Sequence, residues 1–183
     1  MRKVIAGLFH SIDGVVEAPN LWQFDAFDAE LGALMSETIA NIDAVVIGRK
    51  GYEEWASFWP TAPADMEFKD FINAVPKFVA SRTLKGPLGW QNSTLIDGDL
   101  ETFVRDLKAK AGKDIGVMAS ISVVRQLFLA GLMDELTLIT HPVIAGTGYR
   151  HLFNADDATT RLTLEHASMT SHGNVVATYT LKA

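Results

Sequence analysis

Arg49 and Lys50 follow directly on Gly48 and the apolar residues 44–47, in the stretch DAVVIGRKGYEEW. A short unbroken apolar run reads as a buried strand, and two cations at its carboxyl end are the chemistry of an anion site. Two other strand patterns end in related groups. In KFVASRTLK the apolar residues give way to Ser81 and Arg82, with Lys85 close behind, and in DIGVMASIS the run passes through Ala119 into Ser120, Ile121 and Ser122. The first end supplies cations, the second cations and hydroxyls, and the third the backbone N–H groups and positive dipole end of a helix. Together they suit a ligand with several phosphates spread over adjacent strands, such as a dinucleotide. Each also has an ordinary reading: solvated loop cations, an N-cap at Ser120, a tight turn at Gly48. The G-x-G-x-x-G fingerprint of standard dinucleotide-binding folds is absent.

These groups need a scaffold, and the chain alternates strand and helix patterns throughout. Residues 4–9 read as a strand running into the turn SIDG. Apolar positions between 24 and 42 fall on one helix face. After the strand at 44–47, a short helix is expected at 52–57 and another at 65–73. Strands follow in PKFVASR and STLIDGD. Asp99 caps a helix whose apolar face is Leu100, Phe103, Val104, Leu107 and Ala111. The strand DIGVM precedes a helix at 120–130 stopped by Gly131, then the strand DELTLITHPVI. Residues 162–168 and 174–181 alternate in polarity and form an antiparallel pair. Alternating strands and helices imply right-handed crossovers and a mostly parallel central sheet, here with antiparallel C-terminal edge strands. In open sheets of this class ligands bind beyond the carboxyl ends of the strands, where GRK lies.

Totals bound the function. At 183 residues the expectation is one domain spanning 1–183, and 48% apolar against 21% charged residues fits a globular α/β protein. A net charge of −6 and a pI near 5.3 argue against nucleic acid as a partner. With no cysteine, disulfides, thiolate nucleophiles and Cys-based zinc sites are excluded, and no cluster of His and carboxylates has metal-ligand spacing. No metal is expected. The apolar run near the N-terminus is short for a signal peptide and reads as a strand, and no run approaches the ~20 residues needed to cross a bilayer. The expected location is cytoplasmic.

The order SIDG, VVIGRKGYEEW, FWP, KFVASRTL and LAGLMDELTLITHPVIAGTGYRHLF resembles the dihydrofolate-reductase-like superfamily, and within it the reductase domain of the bifunctional riboflavin-biosynthesis deaminase/reductase and its stand-alone relatives. The last of these segments is the most specific. The resemblance implies a three-layer dihydrofolate-reductase-like fold, NADPH as cofactor, hydride transfer and a homodimer. It implies that Gly48, Arg49 and Lys50 meet the cofactor's phosphates. Ser81 and Arg82 would meet the adenosine 2′-phosphate, and Ala119, Ser120, Ile121 and Ser122 would wrap the pyrophosphate. In the pathway enzyme the reaction opens and reduces the ribosyl group of a phosphorylated aminopyrimidine. The deaminase half is not found, since it needs cysteines this sequence lacks. Two features depart from the family pattern: Gly51 stands where threonine is usual, and Ala119 and Ser120 where one or two glycines are usual. Both bear on cofactor affinity.

On the substrate side, hydride delivery to a carbonyl or imine calls for an acid near the acceptor. In the superfamily this is often a carboxylate at the start of the first helix. Asp28 fits: at ~100° per residue it flanks the stripe of Leu31 and Met35, where desolvation would raise its pKa. The equal alternative is a helix cap. Asp13 in SIDG borders the same site, with an ordinary Asp-Gly turn the stronger reading of its side chain. Trp22, Phe24 and Trp59 are aromatic candidates for stacking on a flat substrate, with core packing as the alternative. His141 reads as structural. Gly146 and Gly148 let the AGTG backbone approach a cofactor, and Arg150 beside them is the candidate for a substrate phosphate. Two other functions fit: an NADP(H)-binding module or redox sensor without turnover, and a pterin or dihydrofolate reductase.

Overall fold

Strand β1 (Val4–Ser11) lies between β5 (Asp114–Met118) and β6 (Glu135–His141), parallel to both. The computed structural model describes residues 1–181 apart from Asp65 and Glu67. Among the described residues eight strands form one sheet in the order β4-β3-β2-β5-β1-β6-β8-β7. Strands β2 (Ile42–Gly48), β3 (Lys77–Ala80) and β4 (Ser93–Leu95) extend it in parallel on one side. On the other, β8 (Val175–Leu181) and β7 (Leu162–Met169) are antiparallel. The expected mixed sheet with an antiparallel C-terminal edge is what forms.

Alternation along β1 sorts the two faces. Val4, Ala6 and Leu8 pack with α4 (Leu100–Ala109) and α5 (Ile121–Leu129) in the largest core cluster, while Ile5 and Phe9 point to the opposite face. That opposite face carries α1 (Ala29–Ala40) over β1, β6 and β8, and α2 (Arg49–Phe58) with α3 (Phe68–Ala74) over β2 and β3. Val45, Val46 and Ile47 are fully buried because β2 is covered on both faces. Each such side chain contributes about 1.5–3 kcal/mol.

Several element boundaries differ from the periodicity, and Ala111, expected on the apolar face of the helix after Asp99, is exposed beyond that helix's end at Ala109. The first helix starts at Ala29 rather than residue 24, since Phe24 has φ of +47° and Asp28 caps the helix by accepting from the Leu31 N–H at 2.7 Å. Ile42 starts β2. The second helix begins at Arg49, not residue 52, so Arg49 and Lys50 form its first turn instead of a loop. The third covers Phe68–Ala74, and the start expected at Asp65 lies outside the described residues.

Candidate active site at the split between β1 and β5

The sheet opens at its centre. Pairing between β1 and β5 covers only Val4 with Ile115 and Ile5 with Gly116, whereas β1 stays paired to β6 as far as Ser11 and β5 to β2 as far as Met118. Gly7 stands just beyond the last β1–β5 pair. It is exposed although it lies mid-strand, and a Cβ built on it would meet nothing within 4 Å. On the face it shares with Ile5 and Phe9, the sheet is therefore bare between α1 and α2.

Two helix N-termini meet at this opening. A Cβ on Gly48, the N-cap of α2, would lie 2.2 Å from Ser120 Oγ, and one on Gly51 would lie 1.9 Å from the Ala119 carbonyl oxygen. Neither helix is capped by a side chain and neither has an acid in its first turn. Their free N–H groups and dipoles thus add up at one place. Ser120 occupies the N-cap position of α5 without capping it. Lys50 and the exposed Arg82 are not ion-paired to any described residue, while Arg49 bonds Glu53 one turn on at 2.8 Å. The Ser81 hydroxyl accepts from the Thr83 and Leu84 N–H groups and so shapes the turn that carries Arg82.

The loops after β1 and β6 are tied together by Asp13. Its Oδ1 accepts from the Ser11 hydroxyl at 2.6 Å and the Ala145 N–H at 2.9 Å, and its Oδ2 from the Gly146 N–H at 2.9 Å. The Ser11 hydroxyl, followed by these amides, holds the carboxyl down to about 2. Asp13 is thus a loop clamp, ionised at neutral pH. Gly146 and Gly148 take φ of +82° and +96°, a region that suits glycine. Ile121, Ser122, Arg125, Tyr149, Arg150 and His151 line a cavity of about 390 Å³ at the start of α5. Arg125 is held by Asp157 and Arg150 by Glu17.

Asp28 does not have the raised pKa expected of it. The Thr170 hydroxyl first, then the Leu31 N–H and the Asn174 amide, hold its carboxyl below the usual range. Burial would act the other way, but these hydrogen bonds outweigh it. Asn174 Nδ2 donates to Ala26 O and to Asp28 Oδ2, leaving its Oδ1 to accept from His141 Nδ1–H. That fixes the tautomer, so His141 Nε2 accepts from the Gln23 amide at 3.1 Å. His141 is fully buried, and burial lowers its pKa. The structural reading of this histidine holds.

The aromatic candidates divide. Trp22 is core: it is buried against His141, and its indole N–H donates to Glu17 O at 2.8 Å. Trp59 is also displaced from the site, because it follows the C-terminus of α2, some ~15 Å along that helix from Gly48, in a cluster with Trp55, Phe58 and Phe68. Phe24 is 79% exposed and Phe27 48%. Phe27, not singled out by the sequence, stands edge-on to Phe9 at 6.1 Å. A larger cavity of about 610 Å³, lined by Tyr52, Pro60, Asn73 and Trp90, lies beside the start of β4 and away from the split. Beneath it sits fully buried Lys77, donating to Ile72 O and Val75 O under the Trp90 ring. No group of three or more potential metal ligands occurs among the described residues, and none of their helices is long and apolar enough to cross a membrane.

Comparison with known proteins bears on the fold and the family. Residues 2–177 match the family model of the RibD C-terminal domain. The uncharacterized protein YyaP of Bacillus subtilis is 30% identical over 152 residues, covering 80% of this chain and 78% of that protein. Among solved structures, a pyrimidine reductase-like protein of Corynebacterium diphtheriae superposes with a TM-score of 0.72 at 17% identity, covering 100% and 92% of the two chains. Dihydrofolate reductase of Enterococcus faecalis, complexed with NADP(H) and RAB-propyl, superposes with a TM-score of 0.62 at 12% identity, covering 99% and 97%. The fold is thus dihydrofolate-reductase-like, and the chain belongs to the RibD C-terminal domain family.

Proposed function

We propose that the protein is an NADPH-dependent reductase acting on a small heterocyclic or ribosyl-carbonyl substrate. The observation that carries this reading is the meeting of the α2 and α5 N-termini at the split where Gly7 leaves the sheet bare. Two uncapped helix ends beside Arg49 and Lys50 would hold a pyrophosphate, and exposed Arg82 would hold a further phosphate. The missing side chain at Gly7 leaves room for a flat ring against the strand. The cofactor, when bound, supplies a hydride. Asp13 and Asp28 keep the surrounding loops in place, and since both carboxyls are held below their usual range, neither stores a proton at neutral pH. We also propose a homodimer, for which the exposed Leu164 and Met169 of edge strand β7 offer apolar surface, and sedimentation analysis measures it directly.

Calorimetric titration with NADPH and with NADH tests the cofactor. The expected result is NADPH binding at least tenfold tighter than NADH, with the difference lost in Arg82→Ala. Gly7→Val should keep the fold and abolish binding of the ring. Absence of binding by either nucleotide overturns the reading. A second reading, a nucleotide-binding module without turnover, is favoured by the two carboxylates that hold no proton. It predicts tight NADPH binding with no substrate-dependent oxidation in a carbonyl and imine screen.

A further inference from the structure

The two sides of the opening carry opposite charge patterns. Residues 4–41 contain no lysine or arginine but six acids: Asp13, Glu17, Asp25, Asp28, Glu30 and Glu37. This span includes β1, the loop after it and the whole of α1. Residues 126–149, with β6 and its following loop, and residues 162–181, with β7 and β8, also lack both cations. The cations of the opening are gathered on the other side, at Arg49, Lys50, Arg82 and Lys85.

The α1 side cannot make up for this with backbone donors. The N-terminus of α1 is taken by its own carboxylate, because Asp28 Oδ1 accepts from the Leu31 N–H and Glu30 stands in the first turn. An anion arriving there would meet two acids where α2 and α5 offer none. Arg150, which follows the loop after β6, is ion-paired with Glu17, which accepts from its Nε at 2.7 Å and from its backbone N–H at 3.0 Å. What the side does offer is apolar: Phe9 and Phe27 edge to face, Leu34 partly exposed on α1, and bare backbone at Gly7.

We propose that the substrate is a flat, unphosphorylated ring compound without a negative charge, held against Phe9 and Phe27 on the α1 side. This rests on the reading of the opening as an NADPH site. A phosphorylated substrate would lose its hydration there with no unpaired lysine or arginine and no free helix end on that side to replace it.

Riboflavin and its 5′-phosphate, FMN, form a matched pair of flat rings that differ by one phosphate. Their binding to the NADPH-saturated protein is followed by flavin fluorescence, after NADPH binding has been measured alone. Riboflavin should bind at least tenfold more tightly than FMN. Phe27→Ala should weaken riboflavin about tenfold while leaving NADPH affinity and the thermal midpoint unchanged. FMN binding as tightly as riboflavin, or more so, overturns the proposal and leaves the cofactor reading intact. So does binding of neither flavin to a protein that takes NADPH. Failure of NADPH itself to bind overturns both.

Discussion

Gly51 and Ala119 touch: the carbonyl oxygen of Ala119 occupies the space where a side chain on Gly51 would begin, 1.9 Å from an ideal Cβ. Ala119 holds φ of +48°, a left-handed conformation that costs an alanine roughly 1 kcal/mol. The resemblance to the family implies threonine at the first position and glycine at the second, and here the two residues share one packing solution. Gly51→Thr should destabilise by about 1–3 kcal/mol through overpacking. Ala119→Gly should be neutral or stabilising by up to about 1 kcal/mol. The pair should be non-additive by at least ~0.5 kcal/mol, because the two sites share one contact. Urea unfolding of the three variants measures all of these.

His141 makes stability fall on acidification. Its pKa is lowered by burial from 6.5, so below that value the unfolded chain takes up a proton before the folded one does. Stability is therefore complete above about pH 6.5 and declines as pH falls through the folded value. His10, also lowered by burial, adds to the slope in the same direction. His141→Gln should cost about 1–3 kcal/mol at pH 7 by breaking the bond to Asn174. It should also flatten the decline of the thermal midpoint between pH 7 and 5, leaving the part due to His10.

Lys77 acts at the other end of the scale. Burial brings its pKa down from 10.5 to about 8. Between these values the unfolded chain binds the extra proton, so this group's contribution to stability rises with pH across the window. The neutral amine keeps two N–H groups for Ile72 O and Val75 O, so both bonds survive deprotonation. Relative to Lys77→Met, the wild type should gain about 1–2 kcal/mol of unfolding free energy between pH 7.5 and 9.5. A constant difference between the two proteins over that range would disprove this.

Asp13→Asn tests the clamp. The amide keeps one acceptor oxygen where the carboxylate had two, so one of the Ala145 and Gly146 N–H groups loses its partner. The expected result is weaker NADPH binding by about threefold to tenfold with a thermal midpoint changed by only a few degrees. Since the carboxyl is held near 2, its contribution is present above the ordinary aspartate value and lost only as pH falls towards 2. The wild type should therefore show no change in loop behaviour between pH 8 and 5.

The parts of the site legible in the sequence are those whose signals are local. The strand leading to Gly48, the cations after it and the helix opening at Ser120 each declare themselves within ten residues. Contacts between distant segments leave no such mark. The lowered pKa of Asp28 depends on Thr170 and Asn174, more than 140 residues away, so a helix-start position alone pointed to the wrong direction. Trp22 and Trp59 were fair candidates by type, but only the fold shows one beneath the loop and the other at the far end of α2. Gly7 is the harder case. A lone glycine in a strand pattern reads as a weakness in the strand, and its meaning emerges only when β5 is seen to part from β1 beside it. The first helix starts later than its spacing implies for a related reason: Phe24 and Phe27 have the right spacing, yet the backbone at Phe24 is left-handed and Asp28 sets the first turn.

The short ladder between β1 and β5 has a mechanical consequence. Two residue pairs at the amino-terminal end join a wing of β2, β3 and β4, with β5, to a wing of β1, β6, β8 and β7. Shear between the wings meets the least hydrogen-bond resistance at the open end, so the gap there is the soft coordinate of the sheet. A molecule seated in it bridges both wings at their point of greatest leverage and stiffens the protein as a whole.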